Sequence, residues 1–387
     1  MDLAEFRTKL RVWLEANCPP SMRTPMPAKE EPQGGLREPA VNPDTTLWLE
    51  RCAEQGFTLP EVPKEYGGAG LNPEQALAYF EEMKLFGARW PVVGVGPAML
   101  APTLMKHGTE EQKRTFLPRI ARGEDRWAQG FSEPGAGSDL ASLRLQAVRE
   151  GDEYVLNGQK IWTSWGNVSD WIITLARTAT NPSVRQWGIT FLLVPLNTPG
   201  ITVRPLRLIS GESEFCETFF DNVRVPVSRR IGAENEGWGV TKDFLIADRL
   251  AIRRWCDGIE AMNLEELWRE SAGDPAIAEA ILDSELDELG ARCFRAHIER
   301  EESRGSSPDV YSNVLKYWQM EHVKRRHELA TLLLDHRGIG WAGDIHSEAD
   351  HEATVQWLRA RSFTIGGGTS EIQLNIIAKS ALQLPSR

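Results

Sequence analysis

The spacing of apolar residues changes period twice along this chain, from helical to alternating and back to helical. Near the N-terminus Leu3, Phe6, Leu10 and Leu14 recur at three- and four-residue steps, the spacing of one helix face. Thr46–Gln55 and Pro73–Phe86 repeat that pattern. Ser21–Asp44 between them is rich in proline, glycine and charge and reads as a long surface loop. Thr109-Glu110-Glu111-Gln112 has the form of a capping box, which predicts a helix carrying Phe116 and Ile120. From about residue 126 to 232 the pattern shortens. Tyr154–Leu156, Asn157-Gly158 and Gln159–Trp162 read as a hairpin, because Asn-Gly favours the tight turn that joins two strands. Trp171–Ala176 and Ile189–Val194 read as further strands, and Pro199-Gly200 and Asp221-Asn222 as the breaks between later ones. Beyond residue 233 helical spacing returns in Val240–Leu264, Pro275–Arg300, Asp309–Leu334 and Glu371–Leu382, with a polar connector at Ser303–Pro308. The expectation is three domains: helical over 1–125, β over 126–232, and a helical bundle over 233–387.

A chain of 387 residues exceeds one ordinary core, which agrees with that division. Composition excludes several classes of function. The net charge of −11 comes without a basic stripe, which argues against nucleic-acid binding. Arg229-Arg230 and Lys324-Arg325-Arg326 are too short for a phosphate track and read as solvated helix faces. The five cysteines, Cys18, Cys52, Cys216, Cys256 and Cys293, are odd in number and never spaced as a metal knuckle. They read as free buried thiols in a reducing compartment. The histidines form no HExxH arrangement, so no metal is expected. No apolar run reaches membrane-spanning length, and the acidic, amphipathic N-terminus does not read as a signal peptide. A cytoplasmic location with no membrane insertion is expected. Most of the fourteen tryptophans read as ordinary packing.

Two segments carry candidate chemistry. Gln129–Asp139 is turn-rich, with glycines that let a ligand approach the backbone and small serines that leave room. Trp162-Thr163-Ser164 sets a ring beside two hydroxyls, suited to stacking on a flat molecule and bonding its edge. Read together, Trp127–Leu143 and Asn157–Ser164 closely resemble the acyl-CoA dehydrogenase family. Pro63–Gly68, His107–Lys113 and Gly368–Gln373 extend the resemblance over almost the whole chain, in the family's order and spacing.

The resemblance implies an N-terminal all-α domain, a middle β-barrel-like domain and a C-terminal four-helix bundle that enclose FAD and an acyl thioester. It implies that Gln129, Phe131 and Ser132 line the flavin. Trp162, Thr163 and Ser164 would cover the flavin's reactive edge, with Ser164 near the nitrogen that accepts hydride. It places Ser138 on the CoA portion of the substrate, and Thr369 and Glu371 near the cofactor's ribose and phosphates. It further implies oxidation of an acyl-CoA to the trans-2-enoyl-CoA, electron transfer to an electron-transfer flavoprotein, and a tetramer, either homomeric or with a related subunit.

The chain departs from the family's pattern where the usual catalytic glutamate stands, which here is Gly367. Some members supply the carboxylate from the first long helix of the C-terminal region instead, just before an arginine. The matching pair is Asp248-Arg249, which makes Asp248 the candidate base and Arg249 and Gly367 candidate substrate contacts. Phe244, Leu245, Asp248, Ile252, Trp255 and Ile259 share one helical stripe, which sets Asp248 on an apolar face. Partial desolvation there favours a more basic carboxylate, while pairing with a nearby arginine would oppose it. Aspartate is also shorter than glutamate by about one C–C bond, roughly 1.5 Å. Two further departures bear on the cofactor. Leu374 follows Gln373 where the family carries arginine, and the family's Phe-Gly segment is unrecognisable around Arg304–Pro308. Two other readings follow. One is a base-deficient subunit that binds FAD and acyl-CoA within a mixed assembly. The other is an acyl-CoA oxidase, whose relatives are usually longer.

Overall fold

The computed structural model describes the chain except residues 1, 25, 27–29, 36, 38, 39, 180–184, 257–262, 272, 304–308, 342–346, 386 and 387. At 249–256, 299, 302, 303, 309 and 310 the description is of the backbone alone. Two compact units are present: Met1–Leu206 with Ser213–Asp248, and Arg207–Glu212 with Arg249–Arg387.

The first unit opens with five helices, α1 (Leu3–Asn17), α2 (Pro43–Glu54), α3 (Pro73–Phe86), α4 (Ala101–His107) and α5 (Glu110–Ala121). Their starts follow from local chemistry. Asn72 and Gln75 cap α3 reciprocally, as Thr109 and Gln112 cap α5, satisfying amide groups that no helical carbonyl can reach. Gln112 is used twice, since its Nε2 also donates to the carbonyls of Ser228 and Arg230 at 2.8 Å each. Of the stripe expected on α1, Phe6, Leu10 and Leu14 are buried with Trp48, Tyr79 and Met83, while Leu3 at the first turn is exposed.

The same unit holds an eight-stranded sheet: β1 (Trp127–Gly130), β2 (Gln146–Glu150), β3 (Glu153–Ser164), β4 (Trp171–Arg177), β5 (Ile189–Pro195), β6 (Ile201–Leu206), β7 (Phe215–Pro226) and β8 (Arg230–Ile231). The order is β6-β7-β3-β2-β4-β5-β8, with β1 parallel to β4. The expected hairpin at Asn157-Gly158 is not formed. Residues 153–164 are one strand, and the turn lies earlier, at Gly151-Asp152 between β2 and β3. Asn157-Gly158 is instead a break in register within the β3–β7 pair, opposite Asp221-Asn222. Asn157 Oδ1 accepts the Asn222 N–H at 2.9 Å, and a Cβ on Gly158 would sit 3.1 Å from Leu145 Cα. Pairing with one long partner strand therefore decides the geometry, and Asp221-Asn222 lies inside β7 rather than between strands. The arginine pair read as a solvated helix face is half-buried, with Arg229 ending a short 3-10 turn (Val227–Arg229) and Arg230 opening β8. Arg229 lies over the rings of Phe116 and Trp171, and Arg230 donates to the Tyr154 hydroxyl at 2.8 Å.

Helix α6 (Gly237–Cys256) closes the first unit with its residues up to Asp248. In the second unit α7 (Leu264–Glu270), α8 (Pro275–Ser303), α9 (Asp309–Leu334), α10 (Glu348–Phe363) and α11 (Ser370–Ile376) follow. Helix α10 was not expected from apolar spacing. Its buried positions are Asp350, Ala353, Thr354, Val355 and Ala360, which are mostly small or polar, and a capping box at Ser347 and Asp350 starts it. The connector expected at Ser303–Pro308 falls, after its first residue, outside the described residues. Of the described cysteines, Cys18, Cys52 and Cys216 are buried, but Cys293 is exposed on α8. Lys324, Arg325 and Arg326 form ion pairs with Glu321, Asp287 and Glu285. No described helix is long and apolar enough to cross a membrane.

The second unit is acid-sensitive by construction. His322 and Arg295 hold the Glu288 carboxyl down to about 2, against the opposing effect of its burial. At 3.4 Å the His322 contact is electrostatic rather than a full hydrogen bond, whereas Arg295 donates at 3.0 Å. A carboxyl depressed on folding contributes stability above its unfolded pKa and loses it as pH falls towards the folded value. The window therefore runs from about 4.5 down to about 2. The loss should reach at most roughly 3 kcal/mol, reduced by screening at this partly exposed group. Melting temperatures across that window should fall less steeply for Glu288→Gln than for the parent. Parallel slopes would show that the group does not matter.

Candidate functional site

The turn-rich segment leaves β1 at Gly130 and is held down by its carbonyls. Thr174 Oγ1 donates to Gly130 O at 3.0 Å, Lys160 Nζ to Phe131 O at 3.0 Å, and the Ile161 amide to Ser132 O at 2.9 Å. Glu133 and Ala136 exchange two backbone hydrogen bonds of 3.0 Å, which closes a tight turn over Pro134-Gly135. A Cβ at Gly135 or Gly137 would meet nothing within 4 Å, so this part of the loop is open to an approaching molecule. Ser138 is exposed on it, and Asp139 beside it pairs with Arg185.

Two residues past Lys160 the chain does something unusual for a strand. The β3–β7 register shifts between Lys160 and Thr163, and Trp162 sits at φ 62°. A bulky residue with positive φ is strained. The bulge turns the indole outward, where it is 54% exposed and meets the Phe215 ring edge-on, centroid to centroid 6.0 Å. Thr163 points inward instead, buried and bonded to Thr218 at 3.2 Å. Ser132 and Ser164 are half-buried, and neither hydroxyl has a hydrogen-bond partner among the described residues. An exposed ring at a strained bulge, flanked by two uncommitted hydroxyls, fits a flat molecule with a polar edge such as the expected flavin. Gln129 lies on β1, half-buried. Phe131 turns inward, its ring 5.3 Å from Phe244 and 6.1 Å from Phe191, so its side chain joins the segment to the core.

That contact also connects the loop to α6. Phe244 is fully buried, and Asp248 lies one turn further along the same face, half-buried. One turn is a rise of about 6 Å for four residues. Leu245 packs against the same core. The side chains of Arg249, Ile252 and Trp255, and Ile259 altogether, lie outside the described residues.

In the second unit, α10 ends at Phe363 and α11 begins at Ser370. The turn between them contains Gly366-Gly367-Gly368, with φ of 69° at Gly367 and 101° at Gly368. Gln373 on α11 is fully buried, and its Nε2 donates to the carbonyls of Gly367 at 3.3 Å and Gly368 at 3.4 Å. Both carbonyls are thus turned towards α11, and the Gly367 amide has no acceptor among the described residues. Thr369 caps α11, its hydroxyl accepting the Ile372 N–H at 3.3 Å. Ser370 donates to Glu321 at 2.6 Å, and Lys316 donates to Phe363 O at 2.6 Å. Glu371 is exposed, and its own amide and the Thr369 hydroxyl hold its carboxyl below the usual range.

Sequence reasoning missed the pair beneath the loop. Lys160 Nζ is enclosed and lies 2.8 Å from Glu133 Oε1. Glu133 also accepts the amides of Arg144 at 2.6 Å and Leu145 at 2.9 Å. Burial pulls the Lys160 pKa down to about 8, and Glu133 opposes that shift.

Comparison with known proteins places these features in context. Three family models match consecutive stretches of the chain: the acyl-CoA dehydrogenase N-terminal domain over residues 3–124, the middle domain over 128–223 and the C-terminal domain over 235–382. Acyl-CoA dehydrogenase IpdE1 of Mycobacterium tuberculosis is 36% identical over 392 aligned positions, covering 99% of this chain and 98% of that protein. Among solved structures, the Tcur3481–Tcur3483 steroid ACAD superposes with a TM-score of 0.76 at 27% identity and covers 100% of both chains. The ChsE4–ChsE5 complex from Mycobacterium tuberculosis superposes with a TM-score of 0.74 at 30% identity, over 100% of this chain and 98% of that one.

Proposed function

The chain belongs to the acyl-CoA dehydrogenase family of FAD-dependent oxidoreductases, and from that premise we propose that it desaturates a bulky, ring-bearing acyl-CoA with Asp248 as the base. The observation that carries this reading is the contact between Phe131 and Phe244. It ties the segment that would line the flavin to the helix that carries Asp248, and leaves the carboxylate one turn beyond the contact. With glycine at 367, no side chain from that position can take a proton, so the α-proton falls to Asp248. The Gly367 amide, which has no acceptor among the described residues, donates to the thioester oxygen as negative charge grows there. FAD, when bound, supplies the acceptor for the β-hydrogen.

The remaining residues bind and orient. Ser132 and Ser164 bond the flavin's polar edge, with Gln129 beside them on β1, and Trp162 covers its ring. Phe131 and Thr163 support that surface from inside the core. Thr369 and Glu371 stand by the ribose and phosphates, Ser138 by the CoA portion, and Arg249 by the substrate. The exposed face of Trp162 leaves a route for electrons to an electron-transfer flavoprotein. The substrate class is supported by a solved relative that is a steroid ACAD, together with the small residue at 367.

The test is anaerobic mixing of the purified yellow protein with a panel of acyl-CoA thioesters. Ring-bearing thioesters should bleach the flavin band faster than straight-chain ones of similar length. The reverse order would overturn the size argument, and no bleaching by any thioester would overturn the dehydrogenase. A second reading is favoured by the solved relatives that pair two chains, Tcur3481–Tcur3483 and ChsE4–ChsE5. There the chain is an FAD- and acyl-CoA-binding subunit of a mixed assembly. The same preparation decides between them. A protein that is colourless alone and yellow only with a related subunit supports the second reading.

A further inference from the structure

Lys160 is charged, wholly enclosed, and used by no step of the reaction above. Its Nζ donates to Phe131 O at 3.0 Å and Glu133 Oε1 at 2.8 Å, the residues on either side of Ser132. The next amide, of Ile161, donates to Ser132 O itself. Ser132 is therefore bracketed from both sides by the start of the bulge that presents Trp162 and Ser164. The far end of the pair is fixed as well, because Glu133 accepts the amides of Arg144 and Leu145 at the entry to β2. An apolar pair of the same volume would fill this space without the desolvation cost of two charges. It would not fix direction, since only hydrogen bonds of set geometry do that.

We infer that Lys160 and Glu133 are a positioning pair, a buried pin that sets the spacing between the segment carrying Ser132 and the bulge carrying Trp162 and Ser164, and so the grip on the flavin. The inference rests on the FAD reading above. The charged groups facing Lys160 are Glu133 from the loop and Arg177 from β4. Its partner across β7 is the uncharged Thr218, and Arg144 meets the pair only through its amide. Arg177 does not titrate in the working range. With its pKa near 8, Lys160 loses its charge in mildly alkaline solution, and the pin weakens as it does.

The experiment follows FAD release from full-length holoprotein after dilution, by recovery of free-flavin fluorescence, between pH 7 and pH 9 (about one unit either side of the Lys160 pKa). The parent should release FAD roughly tenfold faster at the alkaline end. Lys160→Met and Glu133→Gln should each release it roughly ten- to a hundredfold faster than the parent at neutral pH, as for loss of a charged hydrogen bond, and with no further rise on alkalinisation. A purely structural pair would lower the variants' melting temperatures yet leave the parental pH slope in place, and that result overturns the inference. So does an unchanged release rate at neutral pH. Should Lys160→Met fail to fold, Glu133→Gln decides alone, because its amide oxygen still accepts a hydrogen bond. A parent that never takes up FAD would sink the functional reading instead, which separates the two failures.

Discussion

Asp248→Asn should keep its flavin and lose roughly two to four orders of magnitude in the rate of flavin bleaching, the usual worth of a positioned general base. Asparagine has nearly the shape of aspartate and cannot take a proton, so the loss should appear in kcat with KM little changed. The position makes the residue hard to replace by chance. Asp248 follows Phe244 by one turn on α6, and the Phe244 ring is anchored against Phe131 and Phe191. The aspartate backbone is thus set by a packed aromatic cluster, and a base elsewhere would need its own anchor. Bleaching at the parental rate with a good acyl-CoA would remove Asp248 from the mechanism. It would then point to a carboxylate from a partner subunit, because glycine at 367 supplies none.

What the sequence disclosed and what it hid divide along the range of the interactions. Helix α5 was legible because its start is set by neighbours in the chain, Thr109 with Gln112, and α3 because its apolar residues keep helical spacing over Pro73–Phe86. Helix α9 matches its expected span, Asp309–Leu334. Helix α10 escaped because its buried face is built from small and polar residues, which leave no apolar rhythm to follow. Its capping box at Ser347 and Asp350 was the available signal. Asn157-Gly158 was misread as a turn because its strand partner is β7, some sixty residues away, and a local rule cannot see that partner. The site shows the same split. The segments 129–132 and 162–164 were evident as motifs, but the positive φ of Trp162 and the burial of Lys160 against Glu133 are products of tertiary packing. A lysine at an inward strand position, between Gln159 and Ile161, was the one hint that a buried counter-charge had to exist.

Gly368→Ala should damage the glycine turn between α10 and α11 through geometry alone. Gly368 holds φ 101°, where an L-residue is strained by roughly 1–2 kcal/mol. A Cβ there would also lie 2.5 Å from Gln373 Nε2. The Gln373 amide would have to withdraw from the Gly367 and Gly368 carbonyls, leaving a fully buried polar group with fewer partners, at a cost near 1–3 kcal/mol. The two effects share one cause and will not simply add, so a loss of about 2–4 kcal/mol is expected, read as a lower melting temperature. Freed from Gln373, the Gly367 and Gly368 carbonyls lose their clamp, and if the neighbouring Gly367 N–H shifts by near 1 Å the rate should fall on the order of a hundredfold. Gln373→Leu separates the contributions, since it removes the clamp and leaves both glycines relaxed. If clamping matters, Gln373→Leu should lose most of the same rate with a smaller loss of stability. If only backbone strain matters, Gln373→Leu should turn over like the parent. A Gly368→Ala protein with parental melting temperature and parental bleaching rate would show that the glycine turn has no part in aiming the amide.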